Sequence, residues 1–492
     1  MSAWIHCFPR WLMLGALIYA PWAYGSTRDW SITGMNWILG VCLATWSLEC
    51  LLSRRWPRLP MVMAGAALTL VAQAWFMVWN AKFDYLRANA EFIPLEPLLP
   101  WAPGSLHRSL SLDAATQLSL MLGAGLLLGE MVRSPDWRRR VLGTMAATGC
   151  SIALLGLAQR LTNADGIFWH KEDIGPFYFA TFRNHTNAGA FLNLIWPLTL
   201  AGALRSYLKG ESPRRVAAWS AATGISLTAM LVNTSRAATL IAAVLAMVAA
   251  AWVARRFFRE RLTLRNVAMA GVAAVLVLGA LASLTFMAGT EANAGRWRQF
   301  RQQLNEENPR LLAAQVCLTM IPEAGWGGFG PGTFQTAFPY FTADYGDKLR
   351  GRWIFAHQDY LQTVTEWGYA GTALWTVLFL GAGVHAWRTL RRRGRQGGVS
   401  DSARATHFAA LVALAGVFVH ALGDFPLQIV SIQLYVMALT ALLWTAEEWM
   451  RAGSSVARRR SSLAHLSDER SPECSRLHGR VSKAAFGADK AA

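Results

Sequence analysis

Three short polar motifs carry the side chains best suited to chemistry in an otherwise apolar chain. Arg183 stands in Phe-Arg-Asn-His-Thr-Asn, Arg236 in Asn-Thr-Ser-Arg, and His357 in Phe-Ala-His-Gln-Asp-Tyr-Leu-Gln. Arginine binds anionic oxygens through planar, bidentate contacts, and histidine exchanges protons readily near neutral pH. The three motifs could therefore bind an anionic group and move a proton.

Each of these residues also has a structural explanation. An arginine at the end of a membrane span can anchor lipid headgroups, and a histidine that begins a helix is more often structural than catalytic. The glycine-rich segment 325–332 is similar to a phosphate-binding loop, but it lacks the lysine and the strand–turn–helix context that such a loop requires. We interpret it as a turn-rich scaffold.

The elements that must position the motifs are membrane spans. The 492-residue chain is 54% hydrophobic and only 15% charged, whereas soluble proteins carry about 25% charged residues. Apolar runs of about 17–22 residues recur along the chain, and about 20 such residues cross a bilayer as a helix. We expect an all-α polytopic membrane protein, and we exclude a soluble enzyme, a disulfide-stapled secreted domain and a disordered chain.

About twelve transmembrane helices are predicted, and they divide the chain. The spans cover approximately residues 11–24, 34–52, 60–79, 113–132, 141–158, 186–204, 216–233, 237–254, 267–287, 367–386, 408–422 and 429–446. Residues 1–287 are predicted to hold helices 1 to 9, residues 288–366 a large loop, residues 367–446 helices 10 to 12, and residues 447–492 a disordered tail. The loop is rich in aromatic residues, so we expect it to fold, with a helix at Leu311–Ile321 on the membrane surface. The first span could also be a cleaved signal peptide, although an uncleaved helix is favoured.

The net charge of +18 is explained by topology. Lysine and arginine collect in cytoplasmic loops, and five loops are dense in them: Arg54–Arg58, Arg133–Arg140, Arg205–Arg215, Arg255–Arg265 and Arg388–Arg404. All five fall on one side of the twelve-span arrangement, which places both termini in the cytoplasm and the three motifs on the outer side. Membrane lipids are expected partners, and nucleic acid is not.

Ionisable residues are nearly absent from the centres of the predicted spans. Glu49, Glu130 and His385 lie near inner ends, and His420 lies near an outer end. Ion-coupled transporters usually place such groups at membrane depth, so a transporter is disfavoured.

At these motifs the sequence resembles the O-antigen ligase and polymerase family, integral-membrane proteins that join glycans in bacterial envelopes. The resemblance covers about residues 150–445 and rests on several motifs in order: Phe182–Ala190, Ser235–Ala237, Arg310 with Pro322 and Gly330–Phe334, His357–Gln362 with Glu366–Gly368, and Gly423–Gln428. Each motif is weak alone, but their order and topological positions are fairly specific. Gln358 stands where the family often has asparagine, and a hydrogen-bonding amide remains.

The resemblance implies transfer of a glycan from a polyprenyl-diphosphate carrier to an acceptor hydroxyl on the periplasmic side of the bacterial inner membrane, in surface polysaccharide biosynthesis. The acceptor stays open: a lipid A core, a second lipid-linked glycan as in a polymerase, or a protein. A polysaccharide exporter or flippase is the alternative from a different class, and the apolar span centres disfavour it.

The resemblance also implies roles for individual residues. His357 is the expected catalytic base, and Arg236, Arg183 and Arg310 are expected to bind the diphosphate. The supporting residues are Asn187, Gln358 and Tyr360. No cofactor or metal is expected, because the diphosphate already activates the sugar, and a single displacement would invert the anomeric centre.

Overall fold

The computed structural model describes residues 2–86, 88, 91–171, 177–257, 308–349, 351–395 and 399–448. The predicted span 267–287, part of the predicted loop and nearly all of the predicted tail lie outside these residues. The helices are α1 (Ser2–Trp22), α2 (Asp29–Leu52), α3 (Met61–Trp79), α4 (Arg108–Arg133), α5 (Pro135–Leu161), α6 (His185–Leu208), α7 (Pro213–Val232), α8 (Arg236–Phe257), α9 (Pro309–Ala324), α10 (Phe334–Ala337), α11 (Asp359–Arg395), α12 (Asp401–His420) and α13 (Val430–Trp444). Strands β1 (Phe83–Leu86) and β2 (Glu91–Pro94) pair as an antiparallel hairpin.

The prediction of an all-α polytopic membrane protein is confirmed. Nine helices in the described residues are long and apolar enough to cross a membrane: α2 to α8, most of α11, and α12. Helix α13 is apolar but shorter, and α1 overlaps the first predicted span.

Helices α6 and α13 form the centre of the bundle. In α13, 14 of the 15 residues are buried, and in α6, 17 of the 24 are. Helix α6 packs against α12 and α7, and α13 packs against α4. Glycines allow these helices to approach closely, as is common in membrane bundles. A side chain at Gly189 of α6 would collide with Ala238 of α8. Helices α6, α8 and α11 begin at one end of the bundle, and α12 ends there. We call this end of the bundle the motif end.

Helix α11 is interrupted at Gly368, which adopts φ 62° and ψ −171°. The glycine-rich segment 325–332 packs against this interruption, and the Gly330 N–H donates to the Glu366 carbonyl at 3.0 Å. Any side chain at Gly328 would collide with the same carbonyl. The segment supplies partners to the broken helix, which agrees with its interpretation as a scaffold.

The described part of the predicted loop is folded. Helix α9 covers the helix predicted at Leu311–Ile321, and Asn308 begins it by accepting a hydrogen bond from the Arg310 N–H at 3.0 Å. Helix α9 packs on α10 and the 3₁₀ turns that follow it through a small apolar core that includes Cys317, Phe334 and Phe338. This core holds α9 beside the start of α11.

Candidate active site

His357 is hydrogen-bonded to a buried carboxylate at the motif end. Its Nδ1 lies 3.2 Å from Oδ1 of Asp424, whose side chain is only 3% exposed. Burial raises the pKa of Asp424, but the hydrogen bond from His357 and the positive charge of Arg310 outweigh burial and lower the pKa to about 2. An ionised carboxylate can only accept, so Nδ1–H donates to Asp424. In the neutral ring Nε2 is then the proton acceptor.

Two aromatic rings hold the imidazole edge-on. The ring centroid of Phe425 lies 4.7 Å from that of His357, and the centroid of Trp353 lies 5.8 Å away. Phe425 directly follows Asp424 in the chain, so one turn supplies both the carboxylate and an aromatic contact to the imidazole ring.

Asp424 is the point at which three predicted motifs meet. Nη1 of Arg310 lies 3.8 Å from Asp424 Oδ2 and donates to the Gly423 carbonyl at 3.3 Å. The Thr186 side chain, in the first turn of α6, also hydrogen-bonds to Asp424. The carboxylate therefore joins the start of α6, the start of α9 and the segment that carries His357.

Asp359 fixes the alignment of the two segments that carry His357 and Asp424. Its side chain is buried, with Oδ2 accepting from the Leu427 N–H and Oδ1 accepting from Nε2 of Gln428, both at 2.9 Å. Its own N–H donates to the Ala421 carbonyl at 3.1 Å. These bonds hold the segment before α11 against the turn that follows α12.

The predicted supporting residues Gln358 and Tyr360 stabilise the start of α11. Gln358 Oε1 accepts a hydrogen bond from the Leu361 N–H at 2.6 Å. The Tyr360 hydroxyl donates to the Phe418 carbonyl at 2.7 Å, which ties α11 to α12.

The segments of Arg183 and Arg236 join the same network. Asn233, which ends α7, donates from Nδ2 to the His185 carbonyl at 2.8 Å and so connects the turn before α8 to the start of α6. Arg236 is half-buried as the first residue of α8, and Arg183 is exposed just before α6. The structure brings Arg310 and His357 to Asp424 directly and the other two arginines onto adjoining segments.

Two of the three motifs contain a strained residue that is not glycine, and a third such residue lies two positions before the Arg183 motif. Ala180, Thr234 and His357 have φ of 53°, 66° and 54°, in the left-handed region. Such conformations are uncommon for these residue types and are outliers for a β-branched side chain such as that of Thr234. Strain of this kind clusters at functional sites.

An apolar cavity of about 830 Å³ lies between α4, α11, α12 and α13, next to this network. Phe355, Tyr360 and Gln428 line the part near His357. Trp375 and Phe379, further along α11, line the deeper part. The cavity thus runs from the candidate site into the bundle.

Residues 221–376 match a family model described as O-antigen ligase. Over this segment the chain is similar to O-antigen ligases. The resemblance predicted from the motifs is thereby confirmed, and the matched segment contains Arg236, Arg310 and His357. Asp424 lies outside it. No curated protein matches the chain.

Sequence reasoning identified the turn Gly423–Gln428 but assigned no role to Asp424 or to Asp359. The available signal was a single aspartate in a glycine- and proline-containing turn directly after a predicted span. Within the described ranges, the chain has no group of three or more His, Cys, Asp or Glu side chains placed to hold a metal ion.

Proposed function

We propose that this chain transfers a glycan from a polyprenyl-diphosphate carrier to an acceptor hydroxyl, with His357 as the general base. The observation that carries the proposal is the pair formed by His357 and ionised Asp424. A carboxylate that binds Nδ1–H orients the ring and leaves Nε2 to accept a proton. The family match supports a membrane enzyme that joins glycans.

The reaction is a single displacement at the anomeric carbon of the donor. His357 Nε2 takes the proton of the acceptor hydroxyl while the hydroxyl oxygen forms a bond to that carbon. The bond from the same carbon to the diphosphate oxygen breaks, and the polyprenyl diphosphate leaves with the electron pair. Asp424 stays ionised and stabilises the imidazolium that forms. One displacement inverts the anomeric configuration.

The arginines at the motif end bind the diphosphate and stabilise the charge that develops on it. Guanidinium groups suit this role because they make bidentate, charge-assisted contacts with phosphate oxygens. Arg310 lies nearest to the His357–Asp424 pair, and Arg236 and Arg183 stand on the adjoining segments. The neighbouring apolar cavity accommodates part of the polyprenyl chain.

The site faces the periplasm in this proposal, and the protein lies in the bacterial inner membrane with both termini in the cytoplasm. The basic loops of the sequence support this orientation, because positive residues favour the cytoplasmic side. Ligation, with a lipid A core or a protein as the acceptor, is the favoured reaction, and polymerisation onto a second lipid-linked glycan is the alternative within the family.

The test is transfer by the purified protein in lipid nanodiscs, with a lipid-linked glycan as donor. Loss of a general base typically lowers the rate by about 10²–10⁴-fold, so His357→Ala should be folded and nearly inactive. His170→Ala is the matched control, because His170 is exposed in the loop between α5 and α6, and it should transfer at the wild-type rate. Wild-type transfer per folded molecule by His357→Ala would refute the catalytic role.

The same assay separates the alternatives. Product formed with lipid A core as the acceptor supports a ligase, and product formed only with a second lipid-linked glycan supports a polymerase. An exporter or flippase would move the donor across the membrane of a vesicle without forming a glycosidic bond.

A further inference from the structure

The residue before His357 is held by a side chain of α11. Ala356 is fully buried in the small apolar core that also contains Phe334 and Phe338. Its N–H donates to Oε1 of Gln362 at 3.0 Å. A backbone N–H that is buried away from water is costly unless another group accepts its hydrogen bond. Gln362 therefore supplies the acceptor that keeps this segment in its place.

The other end of the Gln362 carboxamide binds Glu366, one turn further along α11. Gln362 Nε2 donates to Glu366 Oε1 at 3.1 Å. The two side chains lie on the same face of the helix because they are four residues apart. Gln362 is only 2% exposed and Glu366 only 6%. Both the oxygen and the nitrogen of the carboxamide thus bind protein groups in the interior.

Glu366 is in turn fixed to the start of α10. Its Oε1 also accepts from the Phe334 N–H at 3.2 Å, and its carboxyl group accepts from the Gly332 N–H. Its carbonyl accepts from the Gly330 N–H at 3.0 Å. The side chain and the backbone of Glu366 therefore bind the glycine-rich segment and the helix that follows it, which makes Glu366 a rigid anchor for Gln362.

His357 needs such an anchor because its backbone is strained. Its φ of 54° lies in the left-handed region, and such a conformation persists only where the surroundings over-determine it. Asp359 holds the chain on the side that follows His357. The bond from Ala356 to Gln362 holds it on the preceding side. Without the second bond, the backbone at His357 can relax and turn the imidazole away from Asp424.

We propose that Gln362, anchored by Glu366, is a positioning residue that holds the imidazole of His357 against Asp424. The inference rests on the proposed function for its kinetic consequence. The hydrogen bonds run from Glu366 through the Gln362 carboxamide to the Ala356 N–H, and so connect the scaffold to the residue before His357. In this arrangement Gln362 contacts neither the substrate nor the reacting atoms.

The decisive variant is Gln362→Met, because methionine is unbranched and of similar length but has no amide. We expect kcat per folded molecule to fall by about 10- to 100-fold, as for a slightly misplaced reacting group. KM for the lipid-linked donor should be unchanged, because the arginines that bind the diphosphate lie outside these hydrogen bonds. Gln362 also lines the apolar cavity. A raised KM with wild-type kcat would therefore indicate direct substrate contact and overturn the proposal.

Gln73→Met is the matched control. Gln73 lies on α3, and its Nε2 donates to the Trp367 carbonyl at 2.9 Å. It therefore binds α11 at the residue after Glu366, outside the series of bonds that leads to His357. Gln73→Met should lower thermal stability and leave kcat per folded molecule unchanged. An equal loss of kcat in both variants would overturn the specific role of Gln362.

Gln362→Glu is a second variant that tests the proposal even if Gln362→Met does not fold. The introduced carboxyl group still accepts from the Ala356 N–H, but the link to Glu366 requires a proton on one of the two carboxyl groups. Two ionised carboxylates at this distance repel each other, and Asp359, which interacts electrostatically with Glu366, adds to the repulsion. The ratio of variant to wild-type kcat should therefore fall as the pH rises toward about 8–9, where a buried carboxyl group can lose its proton. A ratio that is constant with pH would overturn the proposal.

A cryo-electron-microscopy map of Gln362→Met, or of Gln362→Glu at high pH, locates His357 without relying on activity. His357 Nδ1 lies 3.2 Å from Asp424 Oδ1 in the wild-type structure, and we expect the two atoms to be beyond hydrogen-bond distance in the variant. An intact bond between them would overturn the proposal. If wild-type protein transfers no glycan, the proposed function fails, and the map still tests the positioning of His357.

Discussion

Replacing Asp424 by asparagine removes the charge that orients His357 while keeping the shape of the side chain. The asparagine amide can donate to Nδ1, which favours the tautomer with the proton on Nε2. That tautomer cannot accept the proton of the acceptor hydroxyl. Asp424→Asn should therefore impair transfer even though the variant keeps its packing.

The magnitude follows from the ionisation of Asp424. Its pKa falls from the ordinary value of 3.8 to about 2, and at about 1.4 kcal/mol per tenfold change the fold favours the carboxylate by about 2.5 kcal/mol. The carboxylate is buried, so solvent does not screen this energy. Because tenfold in rate is also about 1.4 kcal/mol, the lost charge alone accounts for up to about 10²-fold. The wrong tautomer adds to this loss, within the range of about 10²–10⁴-fold for a general base.

The same ionisation predicts how stability depends on pH. A lowered pKa means that the stabilisation is present above the ordinary pKa and is lost as the pH falls through the folded-state pKa. The wild-type protein should therefore lose about 2.5 kcal/mol of stability progressively between pH values of about 5 and about 1 from this group. Asp424→Asn should lack this part of the acid-induced loss.

Both effects are measured on nanodisc-embedded protein, by transfer per folded molecule and by thermal unfolding at a series of pH values. The matched control is Asp84→Asn, because Asp84 also has a lowered pKa: burial raises it, but hydrogen bonds from Ser109 outweigh burial. Asp84 accepts these bonds on β1, apart from the contacts of Asp424. Asp84→Asn should transfer at the wild-type rate. Transfer by Asp424→Asn within a few-fold of wild type would refute the orienting role.

Two further variants test the diphosphate site and the scaffold. Arg236→Lys should raise KM for the lipid-linked donor about tenfold or more, because an ammonium cannot reproduce the bidentate contacts of a guanidinium; a lysine variant with wild-type kinetics would favour a lipid anchor. Gly328→Ala should lower the free energy of unfolding by about 1–3 kcal/mol, because φ is +83° and the added methyl group would collide with the Glu366 carbonyl. Gly143→Ala, at a helical position with open space around it, should be neutral or stabilising in the same thermal assay, and equal melting temperatures for the two variants would contradict the scaffold role.

The helical part of the fold was predictable because it depends on local pattern. A run of about 20 apolar residues specifies a membrane span with little help from the rest of the chain. The sequence also indicated the interruption of α11, because the predicted tenth span begins at residue 367, next to Gly368, where the helix breaks. Outside the described residues the ninth predicted span stays a prediction.

The contacts of the site were not predictable in the same way, because they join residues far apart in the chain. The sequence identified His357 by its motif, but its partner Asp424 lies 67 residues later. Asp359 stood inside the predicted motif, yet its role depends on accepting from Leu427 and Gln428. A single aspartate in a turn has many ordinary explanations, and only the packing of α12 against α6 and α11 selects one.

The motif end is also where the chain departs from the conformations that folding favours. Thr234 and His357 adopt left-handed backbones that cost about 1–3 kcal/mol each. Such costs persist only where the surroundings over-determine the geometry. Here the Asp359 bonds hold the segment of His357, and the bond from Asn233 to the His185 carbonyl holds the turn that contains Thr234. Under the proposed function, stability and catalysis are opposed at these positions, and variants that relax the strain should be selected for stability more readily than for transfer.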